Sequence, residues 1–167
     1  MDDWPLQKEC DQFYGNPRGR GARASPTWER DCLMRVSPPF TLRFAGKPLR
    51  SIRIHRKCGA SLSRVFSHIH EAAKGDQKTI DDWGVSVFGG SYNYRLTRGG
   101  TLLSMHAYGC AIDLDPVRNA FHDVTPNFLH PPAHVVVEAF ESEGWIWGGR
   151  WGGRACDGMH FQAARLV

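Results

Sequence analysis

At 167 residues the chain is long enough to bury a core in one domain without disulfide staples. Its 41% hydrophobic and 23% charged residues place it among ordinary soluble globular proteins. The formal net charge of +4 comes from basic residues scattered among acids with no recognition motif, which argues against a nucleic-acid partner.

No apolar run approaches the length of a membrane span, and the acidic start Met1-Asp2-Asp3-Trp4-Pro5 has no apolar signal core. Synthesis in the cytoplasm without a signal peptide is therefore expected. The five cysteines, Cys10, Cys32, Cys58, Cys110 and Cys156, include no CxxC pair, and their odd number argues against a complete disulfide framework or a structural zinc ribbon. Buried, reduced thiols are the reading for Cys110 and Cys156.

Residues 1–40 are turn-rich and include Gly15-Asn16-Pro17-Arg18-Gly19-Arg20-Gly21, a surface loop; they read as an N-terminal extension packed on a domain spanning 41–167. Residues 41–45 and 50–55 alternate apolar and polar positions and predict short strands. Leu62, Val65, Phe66 and Ile69 repeat at helical spacing, with Ser61 as cap and Gly75 as stop, and this helix is expected behind the sheet. A second helix is expected from Pro131 or Pro132 to Gly144, with Val136 and Phe140 buried. Between and after them lie Ser104-Met105-His106-Ala107-Tyr108-Gly109-Cys110-Ala111-Ile112-Asp113 and Asp157-Gly158-Met159-His160, the stretches that carry chemistry.

Residues two apart on a strand share a face. If Cys110–Leu114 is a strand, Asp113 is displayed on the face opposite Ile112 and Leu114; the same parity puts His160 and Gln162 together, away from Met159 and Phe161. His106 precedes Gly109, whose turn can fold it back toward Asp113. Two imidazoles and a carboxylate form the ligand set of a catalytic zinc, with a fourth position open to water whose pKa the ion lowers to about 7. One Zn2+ held by His106, Asp113 and His160 is the expectation. Asp157, three residues before His160 with Gly158 to permit a sharp turn, is the candidate general base and acid, or else a partner of His160. Arg95 is the candidate for stabilising charge on a carbonyl oxygen, with Arg98 second. Ser104 is either a hydrogen-bonding neighbour of the site or a turn former. Trp147 and Trp151 either wall a substrate groove or close the core. His55, His68, His70, His122, His130 and His134 read as surface or hydrogen-bonded residues.

This pattern resembles the zinc peptidases that include bacterial D-alanyl-D-alanine carboxypeptidases and dipeptidases and phage L-alanyl-D-glutamate endopeptidases. Ser104, His106, Gly109, Ala111 and Asp113 match its Ser-x-His-x-x-Gly-x-Ala-x-Asp segment; Arg95 matches its upstream arginine; Asp157, His160 and Phe161 match its acid-x-x-His-Phe segment. The resemblance covers roughly residues 85–163. It implies that His106, Asp113 and His160 bind zinc, that Asp157 is the catalytic acid/base, and that the substrate is a peptidoglycan stem peptide. Asp157 stands where carboxypeptidases and dipeptidases usually have Glu, which looks more like the phage endopeptidase branch, and Gln162 stands where an acidic residue is common.

The expected architecture is α+β: a small antiparallel sheet carrying the zinc site, backed by two or three helices. The expected function is a zinc-dependent endopeptidase of the endolysin type, a monomer released to act at the bacterial cell wall or periplasm. The alternatives are a D-alanyl-D-alanine carboxypeptidase and a non-catalytic, zinc-stabilised wall-binding module. The chain ends seven residues after His160, so a catalytic unit without an appended module is expected.

Overall fold

The computed structural model describes residues 3–166, and its first elements lie where the sequence suggested only turns. A 3₁₀ turn, Gln7–Glu9, leads into α1 (Cys10–Phe13); α2 (Pro26–Cys32) then opens with Ser25 Oγ accepting the Trp28 N–H at 3.3 Å and Pro26 in the first turn, and β1 (Leu33–Val36) follows directly. What holds this segment is a set of isolated large side chains with no period to betray them. Trp4, Cys10, Tyr14 and Trp28 are buried. Tyr14 donates its hydroxyl to the Ala163 carbonyl at 2.5 Å, and the Trp4 indole donates to the Glu143 carbonyl at 3.0 Å.

The two predicted strands are present as β2 (Leu42–Phe44) and β4 (Ile52–His55), with β3 (Lys47–Leu49) between them. β2 and β3 form a hairpin around Ala45-Gly46, both at positive φ, while β4 pairs antiparallel with β1. β4 hands straight over to α3 (Arg56–Ala72), so the helix starts five residues before Ser61. Its cap is His55: Nδ1 accepts the Lys57 N–H at 3.1 Å, which leaves Nε2–H to donate to the Tyr14 carbonyl at 3.0 Å. Burial pushes the His55 pKa down to about 4, so the ring stays neutral and the cap holds. Ser61 is instead an interior residue of α3; its hydroxyl donates to Glu143 at 3.1 Å and accepts the Trp145 indole N–H at 2.9 Å. α4 (Gln77–Trp83) was not anticipated, because only Ile80 and Trp83 mark its buried side; Asp76 caps it through Thr79 N–H at 2.9 Å and Gly84 ends it in the left-handed region.

The remaining elements build one four-stranded antiparallel sheet from β5 (Phe88–Gly90), β6 (Ala111–Leu114), β7 (Ile146–Trp147) and β8 (His160–Gln162), in the order β5-β6-β8-β7. α5 (His134–Ser142) starts just past the two prolines, stops short of Gly144, and buries Val136 and Phe140 as expected. Phe140 stacks on Phe161 of β8 with centroids 4.1 Å apart and meets the Trp145 edge at 5.4 Å. α5 thus covers the sheet, and α3 packs chiefly on β1, β4 and α5 rather than on the sheet itself. The fold is α+β, with the odd-numbered face of β6 left for polar side chains. No helix among the described residues is long and apolar enough to cross a membrane.

Phe140 is the keystone between α5 and the sheet, fully buried against two aromatic rings. Phe140→Ala is expected to lower unfolding free energy by about 3–5 kcal/mol, read from urea denaturation curves. A loss below about 1 kcal/mol would mean the site collapses freely and the stack carries little of the stability.

Candidate metal centre

Register brings the ligands together. Asp113 on β6 lies directly opposite His160 on β8, so the two side chains leave the sheet as neighbours on one face. His106 arrives from the other direction, on the 3₁₀ turn Met105–Tyr108. Ser104 caps that turn, its Oγ accepting the His106 N–H at 3.3 Å, which places Ser104 as a turn former. Gly109 then reverses the chain at φ 65°; a Cβ there would lie 2.8 Å from Leu33 and 3.0 Å from the His55 nitrogen, so only glycine lets the turn pack against β1 and β4.

The result is a compact triad. Ligand atoms of His106, Asp113 and His160 all lie within 4.8 Å of one another. Asp113 Oδ1 sits 3.2 Å from His106 Nε2 and 2.9 Å from His160 Nδ1. His106 is held by its other nitrogen: Nδ1–H donates to the Ser91 carbonyl at 2.6 Å, which directs an unprotonated Nε2 inward. That Nε2 is buried and makes no hydrogen bond. At His160 both nitrogens face acceptors, Nδ1 toward Asp113 and Nε2 toward Gln162 Oε1 at 3.1 Å. The Gln162 amide cannot flip, because its Nε2 donates to the Ala164 carbonyl at 2.6 Å. His160 Nε2 therefore keeps its proton, and Nδ1 is the position where a cation can replace one.

The charges agree with this. Burial alone would raise the Asp113 pKa, but the His106 and His160 imidazoles beside it outweigh this and hold the carboxyl well below its usual range. For His160 burial works against the charged ring, yet the hydrogen bond to Asp113 prevails and raises its pKa. An orphaned imidazole nitrogen, an ionised carboxylate and a ring poised to exchange a proton for a cation fit one divalent ion, and a set of two imidazoles and a carboxylate suits zinc. Such an ion would polarise a carbonyl and acidify water.

Asp157 stands beside the triad on a backbone fixed from both sides. Its N–H donates to the Gly148 carbonyl at 3.0 Å, its carbonyl accepts the His160 N–H at 3.1 Å, and it bridges Phe121. Gly158 is needed there for space rather than for an unusual φ: a Cβ would fall 2.3 Å from the Pro126 side chain. Asp157 Oδ1 is buried with no partner, and burial pushes its pKa up, opposed by His160 and assisted by the Asp113 charge.

Two clefts meet at this centre. The larger, about 640 Å³, includes Asp157, His160, Gln162, Trp151 and Phe121; the second, about 530 Å³, runs along Phe88–Asn93. His106, Asp113, Arg95 and Arg98 line both. Arg95 is half-buried and its Nη1 reaches its neighbour's carbonyl, Leu96 O at 3.2 Å. Arg98 lies over the Phe121 ring at 5.4 Å and is the arginine whose charge acts on Asp157. Trp151 walls the larger cleft, 5.5 Å from the His160 ring. Trp147 does not: it is 1% exposed, packs on Phe161, and its indole donates to the Gly158 carbonyl at 2.7 Å, so it closes the core and braces the Asp157–His160 turn from below. Sequence reasoning missed the Ser91 carbonyl, which has no side-chain signature, and the contribution of Gln7, Lys8, Asp11 and Arg18 to the larger cleft.

Residues 97–163 match the model of a family described as D-alanyl-D-alanine carboxypeptidase. The matched segment holds His106, Asp113, Asp157 and His160 and supports a peptidoglycan-related peptidase. No curated protein and no solved structure matches the chain.

One divalent ion per chain is expected in titrations with a chromophoric competitor. Because binding displaces the His160 Nδ1 proton, affinity should fall as pH drops through that ring's raised pKa. Gln162→Leu should weaken binding by about 10–100-fold while Trp151→Leu leaves it within about twofold; equal losses would refute the role given to the Gln162 amide.

Proposed function

We propose that the protein is a zinc-dependent endopeptidase that hydrolyses an amide within peptidoglycan stem peptides and acts at the bacterial cell wall. The observation that carries this reading is a buried, unpartnered Asp157 oxygen beside a metal-ligand triad, in a groove that continues on both sides of the triad. A chain bound across both clefts would present an internal amide to the centre.

In that reaction Asp157 receives a proton from the attacking water and delivers it to the leaving nitrogen. Its raised pKa suits both halves of the task, since a carboxylate in the ordinary range is a weaker base. Arg98, or Arg95 beside it, offsets negative charge growing on the carbonyl oxygen. Ser91 and Gln162 hold the two imidazoles in orientation, and Trp151 shields the larger cleft.

A second reading is favoured by the family description: a D-alanyl-D-alanine carboxypeptidase, with Arg95 binding the terminal carboxylate. The two differ in products. Mass spectrometry of digested peptidoglycan should show stem peptides cut internally, whereas release of a single terminal D-alanine would establish the carboxypeptidase; no product from the metal-loaded wild type, across several wall chemistries, would overturn both.

Asp157→Asn is expected to lower kcat by about 10²–10⁴ with one metal still bound. As the base must be ionised, the wild-type rate should fall as pH drops through the raised Asp157 pKa, on a limb above the ordinary carboxylate range. Persistence of that limb in Asp157→Asn would assign it to another group.

A further inference from the structure

We infer that the N-terminal wall of the larger cleft is a subsite for a carboxylate of the substrate, with Lys8 and Arg18 as its recognition residues. The inference rests on the peptidase reading and deepens it: the substrate class becomes peptides that carry a free carboxylate besides the scissile amide.

The wall is fixed, although it lies outside the segment that matches the family model. Gln7 N–H donates to the Arg165 carbonyl at 2.9 Å and Arg165 N–H to the Pro5 carbonyl at 2.8 Å, which tethers residues 5–7 alongside the end of β8. Gln7 Nε2 reaches Gln162 Oε1 at 3.4 Å, next to His160. A substrate seated on the β8 flank of the triad therefore meets this wall, whereas one on the β5 flank meets the second cleft.

Its cations are arranged for an anion. Tyr108, two residues after His106, donates its hydroxyl to Asp11 Oδ1 at 2.6 Å and fixes that carboxylate. Arg18 Nη1 donates to Asp11 at 2.7 and 2.9 Å and to Asn16 Oδ1 at 2.9 Å, and the guanidinium also meets the Tyr108 hydroxyl. The guanidinium is thereby held at the cleft edge, and its five N–H donors suit it to meet a carboxylate. Lys8 has no ion pair among the described residues, and both side chains line the cleft. Four cations border it, Lys8, Arg18, Arg95 and Arg98, against Asp11, Asp113 and Asp157. Arg18 and Asp11 offset one another, which leaves Lys8, Arg95 and Arg98 against Asp113 and Asp157. The surplus is positive before any metal is added, and a cleft of that sign concentrates anionic ligands.

The test uses two synthetic stem-type peptides identical except that one internal carboxylate is a carboxamide in the second. Calorimetry on metal-loaded Asp157→Asn protein reads binding without turnover, and wild-type cleavage is followed in parallel. The acid peptide should bind roughly ten-fold tighter than its amide twin. This ratio should fall toward one in Lys8→Gln/Arg18→Gln and to an intermediate value in Lys8→Gln alone, a substitution at an exposed position that spares the Asp11–Arg18 contact. Lys8→Arg should retain it. A wild-type ratio near one, or a ratio that survives the double substitution, would overturn the subsite while cleavage of both peptides upheld the peptidase reading. Acid preference without cleavage of either peptide would do the reverse.

Discussion

The rest of the site depends on one cross-strand pair, Asp113 against His160. Antiparallel registry between β6 and β8 puts them opposite one another, and a slip of β8 by one residue would send His160 into the core and bring Phe161 out to the face of Asp113. Hydrophobic burial is what forbids that slip. Ile112 and Phe161 are fully buried, and Phe161 lies stacked between Phe140 and Trp147. The apolar face of the sheet thus fixes the geometry of its polar face. The N-terminal segment adds a second lock, through the Tyr14 hydroxyl on the Ala163 carbonyl immediately after β8.

Two carboxylates beside one another have been driven in opposite directions. Asp113 lies against two imidazoles, hydrogen-bonded to His160, and stays ionised; Asp157 is partly desolvated, has one oxygen with no donor, and is pushed up. Differences of this kind separate a group that holds a cation from one that exchanges protons. Backbone hydrogen bonds on both sides of Asp157 keep the second carboxylate from collapsing onto the triad, and Trp147 supports the turn between them. The burial of Trp147 is therefore how it serves the site.

Residues 4–36 complete both the core and the cleft. Trp4, Tyr14 and Trp28 fill space that the later helices leave open, and the same segment sets Gln7, Lys8, Asp11 and Arg18 at the edge of the larger cleft. The triad and the wall beside it come from distant parts of the chain, so the matched segment carries the candidate ligands while residues before it shape what lies next to them.

The strands bearing Asp113 and His160 and the helix stripe of Val136 and Phe140 were legible from spacing, because alternation along a strand and 3.6-residue periodicity are local properties. Short elements with irregular anchors escaped: α1, α2 and β1 have no period, α4 has two buried residues, and the start of α3 was hidden because His55 rather than Ser61 supplies its cap. Which nitrogen of each histidine faces inward was decided only by tertiary contacts, the Ser91 carbonyl for His106 and the Gln162 amide for His160, and neither leaves a mark at the histidine itself. The same holds for the separation of Trp147 from Trp151, four residues apart with the same chemistry, one inside and one on the cleft. By itself the sequence determined which groups were available and which strand face each would take, since those follow from covalent geometry. The fold alone decided their distances, their protonation and the wall they share, since those depend on what packs against them from elsewhere in the chain.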